Sequence, residues 1–415
     1  MKLNAEEESL LAGEGGPLRK WAMDHQIKVG RYLGAKDFVP VVQAHIMADT
    51  ESLGKAGVEW LEQWTKLPFE QRKVKIPTIT DPRGTDFAAA ERIKQQPWML
   101  DLERRAIDAF ESFGVLMTNT CINYQTIMPP VKGEHAAYGD TGVVIYTNSV
   151  CGARSNFEGG PSALSAGLTG RTPCYGFHLD EMRLATLQVN VKWTPRELND
   201  WGALGGVVGR LAGDYWQVPL LAGLDRIPGS DEMKHFGAAL ASFGSVALFH
   251  MAGITPEAEK AEDVLPKSKT VRVHNVTEGD IRALQKKYLN EVDSVDLVVF
   301  SAPQLSLVEL QQLADFLDGR KTKIPLLAVT SPQVKPDADR MGITRRIEAA
   351  GGSVLEGMCF YQSYAREMAE ANNWKRLATN SAKLTNIIGG YGYKPALLSM
   401  EACVEAACAG GRIAQ

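Results

Sequence analysis

The residues from 148 to 164, NSVCGARSNFEGGPSAL, bring three kinds of chemical group into one short segment. Cys151 offers a thiolate, which is a ligand for soft metals. Arg154 offers a planar guanidinium that can bind a carboxylate through two hydrogen bonds. Pro161 suits the first turn of a helix, whose free N–H groups favour a bound anion. These groups together predict a site for a small hydroxy acid, with its carboxylate on the arginine and its hydroxyl on a metal.

Further candidate side chains lie in this segment, in loops after other predicted strands, and in the polar loop ATNSAK near the C-terminus. The predicted substrate contacts are Ser149, Arg154, Asn156, Ser162, Thr379, Asn380 and Ser381. The predicted groups for proton transfer or hydroxyl contact are Glu158, Tyr124, His178 and Lys383. Simpler explanations exist for these features: a helix start beside an Arg–Glu surface pair, a helix cap, or a structural histidine.

Three of the six cysteines come directly after segments that are predicted as strands. GVLMTNT precedes Cys121, GVVIYTNSV precedes Cys151, and SVLEGM precedes Cys359. Functional groups of parallel sheets gather at the carboxyl ends of the strands, so the three thiols are expected to converge. Three thiolates without a CxxC pair suit an iron–sulfur cluster that leaves one iron free of protein ligands. A zinc site with three cysteines and three separately packed cysteines remain alternatives.

The pattern of predicted elements indicates an α/β fold. In the first part of the chain, KDFVPVVQAHIM and KVKIPTIT are predicted as strands and SLGKAGVEWLEQW as a helix. Towards the C-terminus, VDLVVFS, IPLLAVTS and SVLEGMC are predicted as strands that alternate with helices over SLVELQQLADFLDG and DADRMGITRRIEAAGG. This order is typical of a doubly wound parallel sheet. We expect an α/β region over 1–290, built from two intertwined domains, and a doubly wound region over 291–415.

The composition favours a soluble cytoplasmic protein without nucleic-acid or membrane partners. The chain has 415 residues and a net charge of −4, and it lacks the basic face of a general nucleic-acid binder. No uncharged apolar stretch reaches the roughly 20 residues that cross a bilayer. The acidic start MKLNAEEESLL differs from a signal peptide. Six cysteines are too few for a disulfide framework in a chain of this length.

The motifs resemble those of the large subunit of aconitase X, a branch of the aconitase superfamily. The similarity runs along the chain and includes TCINY, GEHAAYGD, TNSVCGARSNFEGGPSALSAGLTGRTPCYGFHLDE, FHMAGITPEA, EGMCFY and ATNSAK. The resemblance implies an aconitase-like α/β fold with several doubly wound parallel-sheet domains around a central cleft. It also implies an iron–sulfur hydro-lyase. The swivelling domain, with a serine as the base, is then expected on a separate small subunit.

The chain departs from archaeal members of this family at two positions. Those members have a cysteine at the position of Ala302 and a leucine at that of Cys151. The resemblance then implies a cluster held by Cys121, Cys151 and Cys359, of [2Fe-2S] or [4Fe-4S] type. The same exchange favours the bacterial activity, dehydration of cis-3-hydroxy-L-proline to Δ1-pyrroline-2-carboxylate. The alternatives are dehydration of mevalonate 5-phosphate and a non-catalytic metal- or anion-binding protein.

Overall fold

The computed structural model describes residues 1–267, 270–289 and 292–413. In the first region, short strands alternate with helices. The helices are α1 (Ala5–Ala12), α2 (Pro17–Tyr32), α3 (Thr50–Trp64), α4 (Phe69–Arg72), α5 (Pro97–Ser112), α6 (Asn123–Thr126), α7 (Thr141–Tyr146) and α8 (Pro161–Thr169). The strands are β1 (Phe38–Pro40), β2 (Ala44–Ile46), β3 (Thr78–Thr80), β4 (Ala137–Tyr138) and β5 (Arg171–Pro173). A π-helical turn, Thr147–Cys151, continues α7.

Parallel pairing organises the first region. Strands β3, β2 and β4 form a three-stranded parallel sheet, with Ala44 opposite both Thr78 and Ala137. Strands β1 and β5 form a separate antiparallel pair. Helices α2, α5 and α8 bury apolar side chains against this region, including Leu18, Phe110 and others in one cluster. The loops that follow the parallel strands are therefore held at one edge of a packed layer.

The second and third regions are larger parallel sheets. The second contains β6 (Leu187–Val191), α9 (Leu198–Ala212), β7 (Pro219–Ala222), α10 (Ser230–Gly244), β8 (His250–Met251), α11 (Ala261–Val264), β9 (Arg272–Val276) and α12 (Glu278–Leu289). The third contains β10 (Leu297–Leu305), α13 (Leu307–Phe316), β11 (Leu326–Thr330), α14 (Lys335–Arg340), α15 (Ile343–Ala349), β12 (Ser353–Glu356), α16 (Ala365–Asn372), β13 (Arg376–Thr379), α17 (Ala382–Ile387), β14 (Lys394–Leu397) and α18 (Met400–Cys408).

The strand order of the third sheet places β10 at its centre. The second sheet has the order β8-β7-β6-β9 and the third β12-β11-β10-β13-β14, with every pair parallel. All nine residues of the central strand β10 are buried, as expected of a strand covered on both faces. A capping box then starts α13, in which Ser306 and Glu309 bond each other's backbone amides. The predicted α/β fold with several parallel sheets is confirmed.

The strand predicted over GVVIYTNSV is wrong. This segment forms α7 and most of the following π-helical turn. Asp140 starts the helix, because its side chain accepts a hydrogen bond from the Val143 amide at 3.0 Å. The side chains of α7 other than Thr141 are buried, so the apolar run had no polar face to mark a helical period. Cys151 consequently ends a helical turn rather than a strand.

Three further predictions differ in detail. GVLMTNT forms no named strand, although Leu116 makes an isolated parallel bridge to Ile79 of β3. The single helix predicted over DADRMGITRRIEAAGG is broken at Gly342, whose φ of 73° is left-handed. Strand β12 ends three residues before Cys359. None of the described helices is long and apolar enough to span a bilayer.

Candidate active site

Two buried thiols contact the end of strand β10. Cys121 is 6% exposed and Cys359 is 2% exposed. The backbone nitrogen of Gln304 lies 3.4 Å from Cys121 Sγ, and Ser301 Oγ lies 3.9 Å from Cys359 Sγ. Burial, followed by the neighbouring Cys359, raises the pKa of Cys121 well above its ordinary value. Burial also raises the pKa of Cys359 to about 12.

A buried ion pair acts electrostatically on both thiols. Lys383 Nζ donates to Asp140 Oδ2 at 3.3 Å, and each side chain is 4% exposed. Burial opposes the charge on Lys383, but Asp140 and the two thiols outweigh it and raise the pKa of the ammonium. Burial likewise opposes the charge on Asp140, but Lys383 and the Val143 amide outweigh it and lower its pKa. The site therefore contains an internal cation and an internal anion.

Two more carboxyl groups follow the strands of the first sheet. Asp81 comes directly after β3 and Asp49 lies shortly after β2, and both are fully buried. Gln362 Nε2 lies 3.3 Å from Asp81 Oδ2 and 3.5 Å from Asp49 Oδ2. Within the described chain, Asp81 Oδ1 has no hydrogen-bond partner. Burial, then Asp140, raises the pKa of Asp81 well above its usual range, and burial raises that of Asp49 to about 6.

His45 lies near Asp81 Oδ1, the oxygen that has no hydrogen-bond partner among the described residues. Its Nε2 lies 2.8 Å from the carbonyl oxygen of Thr120 and 3.7 Å from Asp81 Oδ1. A carbonyl only accepts, so Nε2 carries the hydrogen in this arrangement. Burial lowers the pKa of His45, which keeps the ring neutral. Asp81 and Asp49 were not among the site residues predicted from the sequence, and their position after predicted strands was the available signal.

The ATNSAK loop reaches this site. Ser381 caps α17 by accepting the Leu384 amide hydrogen at 3.1 Å, and its hydroxyl donates to the Ala302 carbonyl at 2.6 Å. Thr379 Oγ1 accepts from the Ser381 amide at 3.1 Å, and Asn380 is buried. Lys383 is the second residue of helix α17. The structure therefore brings the loop to the strand that carries Ser301 and Gln304.

Tyr124 is also held near a thiol. Its ring stacks on Tyr146 with centroids 3.8 Å apart. Burial, followed by Cys121, raises the pKa of its hydroxyl well above the ordinary value. Tyr124 is 7% exposed, so its hydroxyl remains protonated. The role of Tyr124 in hydroxyl contact or proton transfer stays a prediction.

Arg154 and His178 belong to a different hydrogen-bonded group. Arg154 donates to the His178 carbonyl at 3.0 Å and to Asp180 Oδ1 at 2.5 Å. The His178 ring lies 2.9 Å from His135, Nδ1 to Nδ1, and is 2% exposed. Burial, then His135 and Arg183, lowers the pKa of His178 to about 3. The guanidinium predicted to bind a carboxylate is thus bound within the protein.

The remaining predicted contacts have internal partners. Asn156 accepts from the Tyr215 hydroxyl at 2.8 Å and donates to the Tyr175 carbonyl at 3.0 Å. Ser149 Oγ accepts from the Phe249 amide at 2.9 Å, and Ser162 Oγ lies 3.0 Å from His25 Nε2. Glu158 Oε1 accepts from the Thr172 hydroxyl at 2.8 Å. Burial raises the pKa of Glu158 to about 7. These interactions stabilise the loops of the first region.

Neither Cys121 nor Cys359 acts electrostatically on the Cys151 thiol. This thiol acts electrostatically on Tyr138 and Tyr146, and burial alone raises its pKa, to about 11. Over residues 1–267, 270–289 and 292–413, no three His, Cys, Asp or Glu side chains are arranged to hold a metal ion. Cys121 and Cys359 are free thiols, and Cys359 acts electrostatically on Cys121. A shared site for all three cysteines stays a prediction.

The fold and the site define an α/β protein of several parallel sheets, with thiols, carboxyls and an ammonium buried where strands end. Family models for aconitase X match the chain in three parts: the first domain over residues 1–181, the second over 185–286 and the third over 295–409. The chain belongs to the aconitase X family.

Individual relatives agree with this assignment. The phosphomevalonate dehydratase large subunit of Thermococcus kodakarensis is 33% identical over 411 residues, covering 98% of this chain and 100% of that protein. The cis-3-hydroxy-L-proline dehydratase of Pseudomonas aeruginosa is 30% identical over 423 residues, covering 99% of this chain but 70% of that protein. The crystal structure of Thermococcus kodakaraensis aconitase X (holo-form) superposes with a TM-score of 0.87 at 30% identity, covering 98% of this chain and 100% of that one. Both relatives are named dehydratases, as the sequence analysis predicted for this chain.

Proposed function

We propose that this chain is the large subunit of a hydro-lyase that dehydrates mevalonate 5-phosphate together with a small subunit. One observation carries the proposal: the chain matches a phosphomevalonate dehydratase large subunit over that protein's whole length. The hydroxyproline dehydratase continues for about another 30% of its length beyond the match. The sequence analysis favoured cis-3-hydroxy-L-proline because of Cys151, and the comparisons support the phosphorylated substrate better.

An iron–sulfur cluster fits the site in part. Cys121 and Cys359 would supply two thiolates. Cys151 was predicted from the sequence as a third ligand, but neither of these two thiols acts electrostatically on it. A metal deprotonates a coordinating thiol, so thiols that are protonated in the metal-free chain can still serve as ligands. The unpartnered Asp81 oxygen also favours a polar or charged group beside the thiols. When bound, a cluster with an open iron would act as a Lewis acid on the leaving hydroxyl.

Side chains of this chain would supply a proton to the departing hydroxyl and a positive charge that offsets the negative charge of the site. Asp81 has a raised pKa and a free Oδ1, so it is the candidate acid that protonates the departing hydroxyl. Gln362 Nε2, which donates to Asp81 Oδ2 at 3.3 Å, would orient that carboxyl. Lys383 would offset negative charge on the thiolates and the substrate. The base is expected on the small subunit, so the chain alone should be inactive.

The test uses the chain co-produced with a candidate small subunit and purified without oxygen. Mevalonate 5-phosphate and cis-3-hydroxy-L-proline are incubated separately with the complex, and loss of one water is followed by mass spectrometry. Turnover of the phosphorylated substrate, abolished in Asp81→Asn, supports the proposal. Turnover of cis-3-hydroxy-L-proline alone replaces the substrate and keeps the reaction class. An iron-loaded complex that dehydrates neither substrate contradicts the proposed reaction.

A further inference from the structure

Gln304 joins the two segments that carry the thiols. The side-chain Oε1 of Gln304 accepts from the backbone N–H of Cys121 at 3.3 Å. The backbone N–H of Gln304 donates to Cys121 Sγ at 3.4 Å. Its Nε2 donates to two backbone carbonyls, that of Asn119 at 3.1 Å and that of Met358 at 3.2 Å. One fully buried side chain therefore spans the segment before Cys121 and the segment before Cys359.

The backbone of Gln304 is itself anchored by a buried charge. Lys234 Nζ donates to the Gln304 carbonyl at 3.2 Å. Lys234 is 1% exposed, and it pairs with Asp231 at 3.0 Å and with Glu309. These partners lie on α10 and α13, so the second and third regions both hold the lysine. An ammonium fixed on two sides leaves the Gln304 carbonyl little freedom to shift.

Ser301 supports the other thiol from the same strand. Its hydroxyl oxygen accepts from the Phe360 amide at 3.1 Å and lies 3.9 Å from Cys359 Sγ. The segment from Ser301 to Gln304 thus contacts both sulfurs. Among the described side chains, only that of Gln304 bonds the backbones of both thiol segments.

We propose that Gln304 is the positioning residue that fixes the Cys121 and Cys359 thiols relative to each other. The inference rests on the proposed function, in which this thiol pair holds the cofactor. An amide side chain suits the role because it accepts from one segment and donates to both. Without it, two buried carbonyls and the Cys121 amide lose partners, and the segments must separate or admit water. Partners that orient metal ligands typically contribute about 10- to 100-fold in metal affinity.

The test compares Gln304→Met with Gln333→Met in the complex with the small subunit. Gln333 is the matched control because its Nε2 donates to the Thr118 carbonyl at 3.0 Å, in the same segment, without touching a thiol. We expect Gln304→Met to weaken iron retention against a chelator by about 10- to 100-fold and Gln333→Met to leave it unchanged. Equal iron retention in the two variants overturns the proposal.

A second readout needs no metal. In the metal-free full chain, iodoacetamide alkylation of each cysteine is timed by peptide mass spectrometry. Gln304→Met should speed alkylation of Cys121 and Cys359 together, relative to the buried Cys403, because the two segments open locally. Gln304→Glu, of the same size but without the amide donor, should do the same if the methionine variant does not fold.

The two readouts separate failure of the proposal from failure of the proposed function. A wild-type complex that binds no iron refutes the cofactor assignment, and alkylation then decides the role of Gln304 alone. Unchanged alkylation at both cysteines in Gln304→Met and Gln304→Glu refutes the positioning role, whatever the complex binds.

Discussion

Glu103 connects the first region to the segment after Cys359 through a buried hydrogen-bond chain. Glu103 Oε2 accepts from Thr50 Oγ1 at 2.8 Å and from the Gly84 amide at 2.9 Å. The Tyr364 hydroxyl donates to Thr50 Oγ1 at 2.9 Å, five residues after Cys359. Burial of the 1% exposed carboxyl raises its pKa from 4.5 to about 7. The folded chain therefore binds a proton on Glu103 more tightly than the unfolded chain does.

The sign and size of the pH effect follow from this difference. Because the folded-state pKa is the higher one, the stabilisation is complete below about pH 4.5 and is lost as the pH rises through 7. The difference between 4.5 and about 7 corresponds to about 3 kcal/mol. Glu103→Gln removes the titration and keeps an oxygen that accepts both hydrogen bonds. We expect the variant to match the wild type at acidic pH and to exceed its stability by up to about 3 kcal/mol at pH 8.

Urea unfolding of both proteins at a series of pH values between about 5 and 8 measures this difference. Buried acids that do not interact with Glu103 affect both proteins equally. Asp49 acts electrostatically on Glu103, so the comparison is repeated in an Asp49→Asn background to isolate the titration of Glu103. Glu91→Gln, at an exposed glutamate, is the control for removing one negative charge. A wild-type-minus-variant difference that stays constant over the whole pH range refutes the reasoning.

Two further predictions concern the thiol site. Lys383→Met leaves the buried Asp140 carboxylate without its ion-pair partner, so urea unfolding should show a free energy of unfolding lower by about 3–5 kcal/mol. The double variant Lys383→Met/Asp140→Asn should lose less stability, and an equal or larger loss would contradict the pairing. Cys151→Ser should keep most of the iron of the wild-type complex, since neither Cys121 nor Cys359 acts electrostatically on this thiol. Iron loss as complete as in Cys121→Ser would instead support the three-cysteine cluster predicted from the sequence.

Sequence patterns predicted strands β10 to β12 and helix α13 of the third region because these elements are locally consistent. The β10 run VVF is flanked by a strong helix start at Ser306, and the next strands follow glycine turns. The segment over 141–151 was mispredicted because β-branched Val143, Val144 and Ile145 favour a strand, and complete burial hides the helical period. The cap at Asp140 was the local signal for a helix.

The candidate site was only partly predictable, because one of its three predicted cysteines was placed by the mispredicted strand. Cys121 and Cys359 were found because each lies beyond the end of a strand or extended segment at a sheet edge. Cys151 was grouped with them through the wrong strand, and Arg154 is occupied by Asp180, which spacing alone could not reveal. The contacts of Gln304 join positions more than 50 residues apart, so only the tertiary structure discloses them.

The most direct test of the account is the iron and acid-labile sulfide content of the complex purified without oxygen, for wild type, Cys121→Ser and Cys359→Ser. We expect iron and sulfide in the wild type and a loss of more than about tenfold in each variant, because both thiols would be direct ligands. Iron and sulfide at wild-type levels in both variants would contradict the assignment of this thiol pair as the cofactor site.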